Sequence, residues 1–168
     1  TGARQMSKKF RNQKPKQPSI EFGPYWSWLF PLIALLIKFI TISNIPGYMW
    51  PGSDAESYLN GVNGLIKEGF GSSNGNLQYF PAGYPILIWL LSKISIQNTL
   101  LILGIFQSCI YAFASWYFIS KLNFGRFTRL APWVAGLISF NPTLTLSSLA
   151  IGYESLVASF LMISFAAI

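Results

Sequence analysis

An all-α integral membrane protein, with about four transmembrane helices and two interfacial helices in its first external loop, is what this sequence predicts. Three observations carry that expectation. Charged residues fill only 10% of the 168 positions and hydrophobic residues 52%, whereas a soluble domain carries roughly 25% charged residues. Apolar runs of membrane-crossing length recur, with Trp and Tyr at their ends. Six of the twelve basic residues (Arg4, Lys8, Lys9, Arg11, Lys14 and Lys16) crowd into the first sixteen positions, ahead of the first apolar run.

That clustering bears on the net charge of +7. A basic tail placed directly before an apolar helix sets topology, which makes it a poor signal for nucleic acid. The chain has no histidine, so imidazole acid–base catalysis and His-ligated metal sites are excluded. Its single cysteine, Cys109, lies in an apolar run and supplies no disulfide framework. The chain opens on Thr1 and stops at Ile168 within an apolar run, and it reads as the N-terminal part of a longer protein.

Residues 1–24 are basic, rich in Gln, Pro and Ser, and without apolar periodicity, the composition of a disordered cytoplasmic tail. Tyr25, Trp26 and Trp28 mark an interfacial belt, and residues 26–45 give the first span, about 20 residues for roughly 30 Å of hydrocarbon. No small-x-small cleavage site precedes Pro46, which favours an uncleaved span over a signal peptide. The tail's charge places the N-terminus in the cytoplasm and the loop 46–97 on the other side.

Within that loop, Ser53 and Glu56 have the spacing of a capping box, predicting a helix that opens at Ser53. Tyr58, Val62, Leu65 and Ile66 supply its apolar face. The helix is too polar to cross and is expected to lie in the interface. Gly69 and Gly71 end it. Phe80-Pro81-Ala82-Gly83-Tyr84-Pro85 forms a rigid clasp, and a second surface helix follows to about Ile94. Residues 98–119 give the second span, and Lys121, Arg126 and Arg129 return the chain to the basic side. The last 39 residues fit two spans, 130–147 and 153–168. Asn141-Pro142 kinks or breaks the first, and Thr143 to Ser148 with Gly152 supply the turn. By this count Glu154 faces the same side as Asp54.

The loop holds three of the five acidic residues, Asp54, Glu56 and Glu68. A carboxylate at a helix N-terminus is stabilised by the helix dipole, which by itself is a sufficient structural reason for Asp54. With Ser53 and Glu56 engaged in capping, however, Asp54 is surplus to structure and free to act as a general base toward a hydroxyl. Glu56 is explained by the capping box, and Glu68 by solvent. Lys38 stands inside the first span, where it either snorkels to the surface or faces the bundle and meets an anion, Asp54 or a lipid phosphate. Glu154 is the single charge of the last 39 residues; an intramembrane carboxylate is costly unless paired or hydrated, so a polar cavity beneath the loop is expected. Tyr79, Phe80 and Tyr84 are turn punctuation first, and beyond that candidates to stack on a sugar ring or line an acyl groove.

The order of these parts is a basic tail, a span with a late basic residue and an acid-x-x-x-aromatic helix start (Asp54 to Tyr58), then a Phe-Pro-x-Gly-Tyr-Pro clasp and a helix-borne Glu154. It resembles the N-terminal part of the GT-C membrane glycosyltransferases, the group of dolichyl-phosphate-mannose–protein mannosyltransferases and lipid A aminoarabinose transferases. The resemblance runs from about Trp26 to the end. It implies a lipid-linked sugar donor, a polyprenyl phosphate sugar, and a hydroxyl acceptor on protein, lipid or glycan. It further implies transfer on the non-cytoplasmic face, with Asp54 as catalytic base and inversion at the anomeric carbon. Lys38, Glu56, Tyr58, Tyr79, Phe80, Tyr84 and Glu154 are then the substrate-binding candidates. Ala55 follows Asp54 where the family often has a second acid, and Lys38 stands where the family commonly has arginine. No protein metal ligand is assigned, and dependence on a divalent metal stays open. A lipid-carrier flippase or transporter and a non-catalytic scaffold subunit are the alternatives; the first would line its pathway with Lys38 and Glu154.

Overall fold

The structure, a computed structural model, describes residues 25–71, 82–122 and 129–168. The tail 1–24, Tyr79 and Phe80 of the clasp, and Arg126 lie outside the described residues.

Among the described residues the chain is mostly helical, and two of its helices there are long and apolar enough to cross a membrane. These are α1 (Trp26–Asn44) and α4 (Thr99–Lys121). Their 19 and 23 residues amount to about 28 and 34 Å of helix. Between them come the two short helices expected in the loop, α2 (Ala55–Glu68) and α3 (Gly83–Ser92). After α4 follow α5 (Ala131–Ser139), α6 (Pro142–Leu149) and α7 (Glu154–Ala167).

Three expectations are corrected here, two of them after α4. The stretch expected as a third span is two helices of nine and eight residues, broken at Phe140-Asn141. Each covers only about 12–14 Å, less than half the hydrocarbon thickness. The polar run from Thr143 to Ser148 is helix and not turn, because Asn141 caps it: its side chain accepts from the Leu144 N–H at 3.0 Å, and Pro142 occupies the first helical position. The other correction is at α2. The helix starts at Ala55 with Asp54 as its N-cap residue, and no side-chain capping bond forms. Ser53 stands one position too early for the capping box.

The fold also contains one feature outside an all-α description. Residues Trp50–Pro51 (β1) and Ala150–Ile151 (β2) pair as a parallel two-residue ladder, Trp50 opposite Ala150 and Pro51 opposite Ile151. α1 leads into β1 through a turn in which the Tyr48 N–H donates to the Ile45 carbonyl at 2.9 Å. Pro46 sets the first central position of that turn, and Gly47, at φ 76°, takes the left-handed second.

α4 is the hub, packing against α1 on one side and α7 on the other, with α3, α5 and α6 also on it. Many of the residues buried on these helices are small or polar: Ser27 and Ala34 on α1, Gly104, Ser108, Ala114 and Ser115 on α4, Ser155 and Ser159 on α7, with Ile42, Leu103, Tyr111, Ile119 and Leu156 among the larger ones. At Gly104 a methyl group would meet Ile42 Cδ1 at 3.3 Å, so the two long helices approach closely there. Other large apolar side chains turn outward, among them Leu36 and Ile40 on α1, Phe113 on α4, Trp133 on α5 and Phe160 on α7. The apolar core proper sits at one end of the bundle, where Met49, Tyr58, Val62, Tyr84, Ile88, Leu103, Ile151 and Leu156 pack together. Of the face expected on α2, Tyr58, Val62 and Leu65 are buried and Ile66 is exposed.

Candidate active site

The parallel ladder joins two segments of matching design. After β1 come Gly52, Ser53 and Asp54, and then α2; after β2 come Gly152, Tyr153 and Glu154, and then α7. In each segment a glycine follows the strand, and an acid two residues later stands where a helix begins. Parallel pairing in register carries the two acids, a hundred positions apart in sequence, to the same place.

That place is a cavity of about 470 Å³. Asp54 and Glu154 line it together with the hydroxyl-bearing Thr41, Ser53, Tyr58, Thr143 and Ser147. The remaining wall is apolar, from Trp50, Pro51, Pro142, Leu146, Leu149 and Ile151. Among the described residues no lysine or arginine lines it. Thr41 Oγ1 donates to the Ile37 carbonyl at 2.8 Å and Ser147 Oγ to the Thr143 carbonyl at 2.9 Å. Both hydroxyls thus spend their protons on their own helices and offer lone pairs to the cavity. With two carboxylates beside them, the polar part of the wall is rich in acceptors.

Two glycines make the arrangement possible. A Cβ on Gly52 would lie 2.8 Å from the Ile151 carbonyl oxygen, so the ladder closes only because position 52 has no side chain. A Cβ on Gly152 would fall on the Glu154 carboxylate, which folds back over that glycine.

Tyrosines brace the floor. The Tyr58 ring meets those of Tyr84 and Tyr153 edge-on, at centroid distances of 5.0 and 6.2 Å. Burial pushes the Tyr58 phenol above its ordinary range, and the charge of Asp54 and then those of Tyr153 and Glu154 push it the same way. It is therefore a neutral hydroxyl near neutral pH. Tyr84 is buried behind Tyr58, and its oxygen accepts from Gln107 Nε2 at 2.8 Å and from the Gly152 N–H at 2.9 Å.

Of the residues singled out in the sequence, the structure brings Asp54, Tyr58 and Glu154 to one cavity and puts Tyr84 directly behind it. It does not bring Glu56 or Lys38 there. Glu56 is exposed on the first turn of α2. Lys38 neither snorkels nor meets Asp54: it is 1% exposed, faces the bundle, and sets its Nζ 3.8 Å from the centroid of the Tyr111 ring. Tyr79 and Phe80 lie outside the described residues. Sequence reasoning missed Gln107, Gly52 and Gly152. An amide alone in a 23-residue apolar helix was a signal for the first, and the two Gly-x-acid helix starts were a signal for the others.

No family model, no curated protein and no solved structure matches this chain. The site's meaning rests on its own chemistry.

Proposed function

We propose that the chain acts as a membrane glycosyltransferase, moving a sugar from a polyprenyl phosphate carrier to a hydroxyl acceptor with Asp54 as general base. The observation that carries this reading is the pairing of Asp54 and Glu154 on one cavity whose wall is mostly apolar, with a smaller acceptor-rich part. Such a wall complements a ligand with many hydroxyl donors and an apolar continuation, as a sugar on a lipid has. Asp54 is the better base of the two acids for a local reason: as N-cap residue it makes no side-chain capping bond, so its lone pairs are uncommitted to the helix.

In the reaction, the acceptor oxygen attacks the anomeric carbon while the bond from that carbon to the lipid phosphate oxygen breaks. The phosphate leaves with the electron pair, Asp54 takes the acceptor's proton, and the configuration inverts. Phosphate is a good leaving group, so the mechanism needs no histidine and no general acid. Glu154 and the hydroxyls of Thr41, Thr143 and Ser147 accept hydrogen bonds from the sugar or acceptor.

The surroundings support a membrane setting. Many of the residues buried on the helices are small or polar, while Leu36, Ile40, Phe113, Trp133 and Phe160 face outward; in a bilayer this costs nothing, and close packing of small residues is how such helices associate. In the proposed topology α1 and α4 cross, α5 and α6 together form a broken third passage, and α7 is a fourth. Irregular backbone at Asn141 is tolerated within a bilayer where it lines a cavity, and α6 does line this one. α2 and α3 lie at the non-cytoplasmic surface, and the basic tail holds the N-terminus in the cytoplasm.

The test is transfer from labelled polyprenyl phosphate sugars by the protein in membranes, comparing wild type with Asp54→Asn and Glu56→Gln at equal expression. Loss of a general base predicts a fall of about 10²- to 10⁴-fold for Asp54→Asn, with Glu56→Gln at the wild-type rate. Normal transfer by Asp54→Asn would remove the base assignment and put the flippase and scaffold alternatives ahead.

A further inference from the structure

We infer that Tyr84 and Gln107 are positioning residues, which fix the Glu154 carboxylate in the cavity by holding both backbone groups of Gly152. This rests on the function proposed above and adds to it two residues, neither of which lines the cavity.

The geometry is a closed triangle. Gln107 Nε2 has two protons; it donates one to the Tyr84 oxygen at 2.8 Å and one to the Gly152 carbonyl at 2.9 Å. The Gly152 N–H returns to the same Tyr84 oxygen at 2.9 Å. Gly152 thus has its donor and its acceptor taken by side chains of α3 and α4, immediately before the turn that starts α7. The Glu154 carboxylate occupies the space over Gly152 that a Cβ would fill. Holding Gly152 therefore holds the backbone over which that carboxylate lies.

Stability is a poor reason for this construction. Gln107 is 0% exposed in the middle of an apolar helix, and its Oε1 has no hydrogen-bond partner among the described residues. A buried, unpartnered carbonyl oxygen is unfavourable, and an apolar residue of the same length avoids it. Tyr84 keeps its proton throughout the ordinary pH range, since burial pushes its phenol well upward, and the triangle persists with it. The tyrosine ring packs on Tyr58 independently of the oxygen, so removing the oxygen alone isolates its role.

The experiment uses Tyr84→Phe and Gln107→Met in membranes, with Tyr111→Phe as control. Tyr111 is another buried phenol, whose hydroxyl donates to the Ile138 carbonyl away from the cavity. Two readouts are taken: sugar transfer, as kcat and acceptor KM separately, and the rate at which a hydrophobic carbodiimide modifies Glu154 and Asp54, read by peptide mass spectrometry. Positioning predicts that Tyr84→Phe and Gln107→Met each change the Glu154 modification rate severalfold and leave Asp54 unchanged. It predicts a kcat lower by about 10- to 100-fold, as small misplacements cost, with KM little altered. The double variant should be no worse than either single one, since all three groups act as a unit. If Glu154 reacts as in wild type in both variants, or if Tyr111→Phe changes it equally, the positioning role is overturned. The carbodiimide readout needs no transfer activity. A changed Glu154 rate in a protein that transfers no sugar would sustain the positioning and sink the proposed reaction instead.

Discussion

Two polar regions of this molecule each centre on a buried tyrosine whose hydroxyl is hydrogen-bonded to backbone, and they have opposite character. Around Tyr84, the phenol, an amide and two glycines hold a pair of acids against a cavity of about 470 Å³. Around Tyr111, Lys38 lies over the ring with Ala34, Ser115 and Ser139 close by, and the gap among them has no volume that a water could enter. The first region has charge with space beside it. The second has charge sealed into packing. A charged residue in a membrane helix is a functional candidate by default, and by that rule Lys38 and Glu154 rank together. Space separates them: a ligand can reach Glu154, and nothing water-sized can reach Lys38. The cavity exists because a parallel ladder, closed over Gly52, pins two helix starts side by side.

The largest effect that sharpens the contrast is therefore expected at the ladder. Gly52→Ala places a methyl 2.8 Å from the Ile151 carbonyl oxygen, and backbone has to move to admit it. We expect a loss of about 1–3 kcal/mol of stability, as overpacking costs, together with loss of transfer as Asp54 and Glu154 come apart. Gly152→Ala meets only the mobile end of Glu154. It should change stability by about 0.5 kcal/mol or less while lowering transfer, because the carboxylate swings away. Thermal unfolding in detergent and transfer in membranes read the two quantities separately. If both variants lose stability equally, the ladder is not what sets the geometry.

Much of this was legible in the sequence, and the missing parts share one cause. The two long helices follow from apolar length, since each hydrogen-bonds within itself and its composition alone shows whether it suits lipid. Asp54 and Glu154 stood out because acids are scarce in this chain, and Tyr58 because it falls on the apolar face of α2. The Asn141-Pro142 start of α6 carried the ordinary signature of a capped helix, but the apolar run around it read as one span. The capping box at Ser53 failed because spacing alone does not say which residue leaves the helix first. What could not be read was pairing between residues that lie from 23 to 100 positions apart. A two-residue ladder has no periodicity, and Gln107 finds Tyr84 and Gly152 only after α3, α4 and α7 have packed. Lys38 shows the same limit in reverse: its depth in the span was evident, its neighbour was not.

The next effect belongs to the sealed region. Among the described residues Lys38 Nζ has no hydrogen-bond partner, and its compensation is the face of Tyr111. A cation over a ring contributes about 0.5–2 kcal/mol, while leaving buried donors unsatisfied costs about 1–3 kcal/mol, and more for a charged group. The second outweighs the first, so Lys38→Met, close in volume and without donors, should raise the thermal midpoint and leave transfer at the wild-type rate. A fall in transfer comparable to that of Asp54→Asn would show that Lys38 reaches substrate after all, and the two regions would then be one.

The smallest effect is at Tyr111 itself. Tyr111→Phe keeps the ring beneath Lys38 and removes one hydroxyl that donates to the Ile138 carbonyl, near the end of α5. A single intramolecular hydrogen bond contributes about 0.5–1.5 kcal/mol net, and that is the stability loss expected. Ile138 precedes the break at Phe140-Asn141, so the lost bond loosens α5 where it meets α4 and leaves α6 capped by Asn141. Transfer should be unaffected, because α6 and not α5 lines the cavity. Hydrogen exchange then supplies the local check: amides of residues 131–139 exchange faster in Tyr111→Phe and those of 142–149 do not. Faster exchange in both helices, with reduced transfer, would mean that α5 and α6 move as one body and that the sealed region tunes the open one.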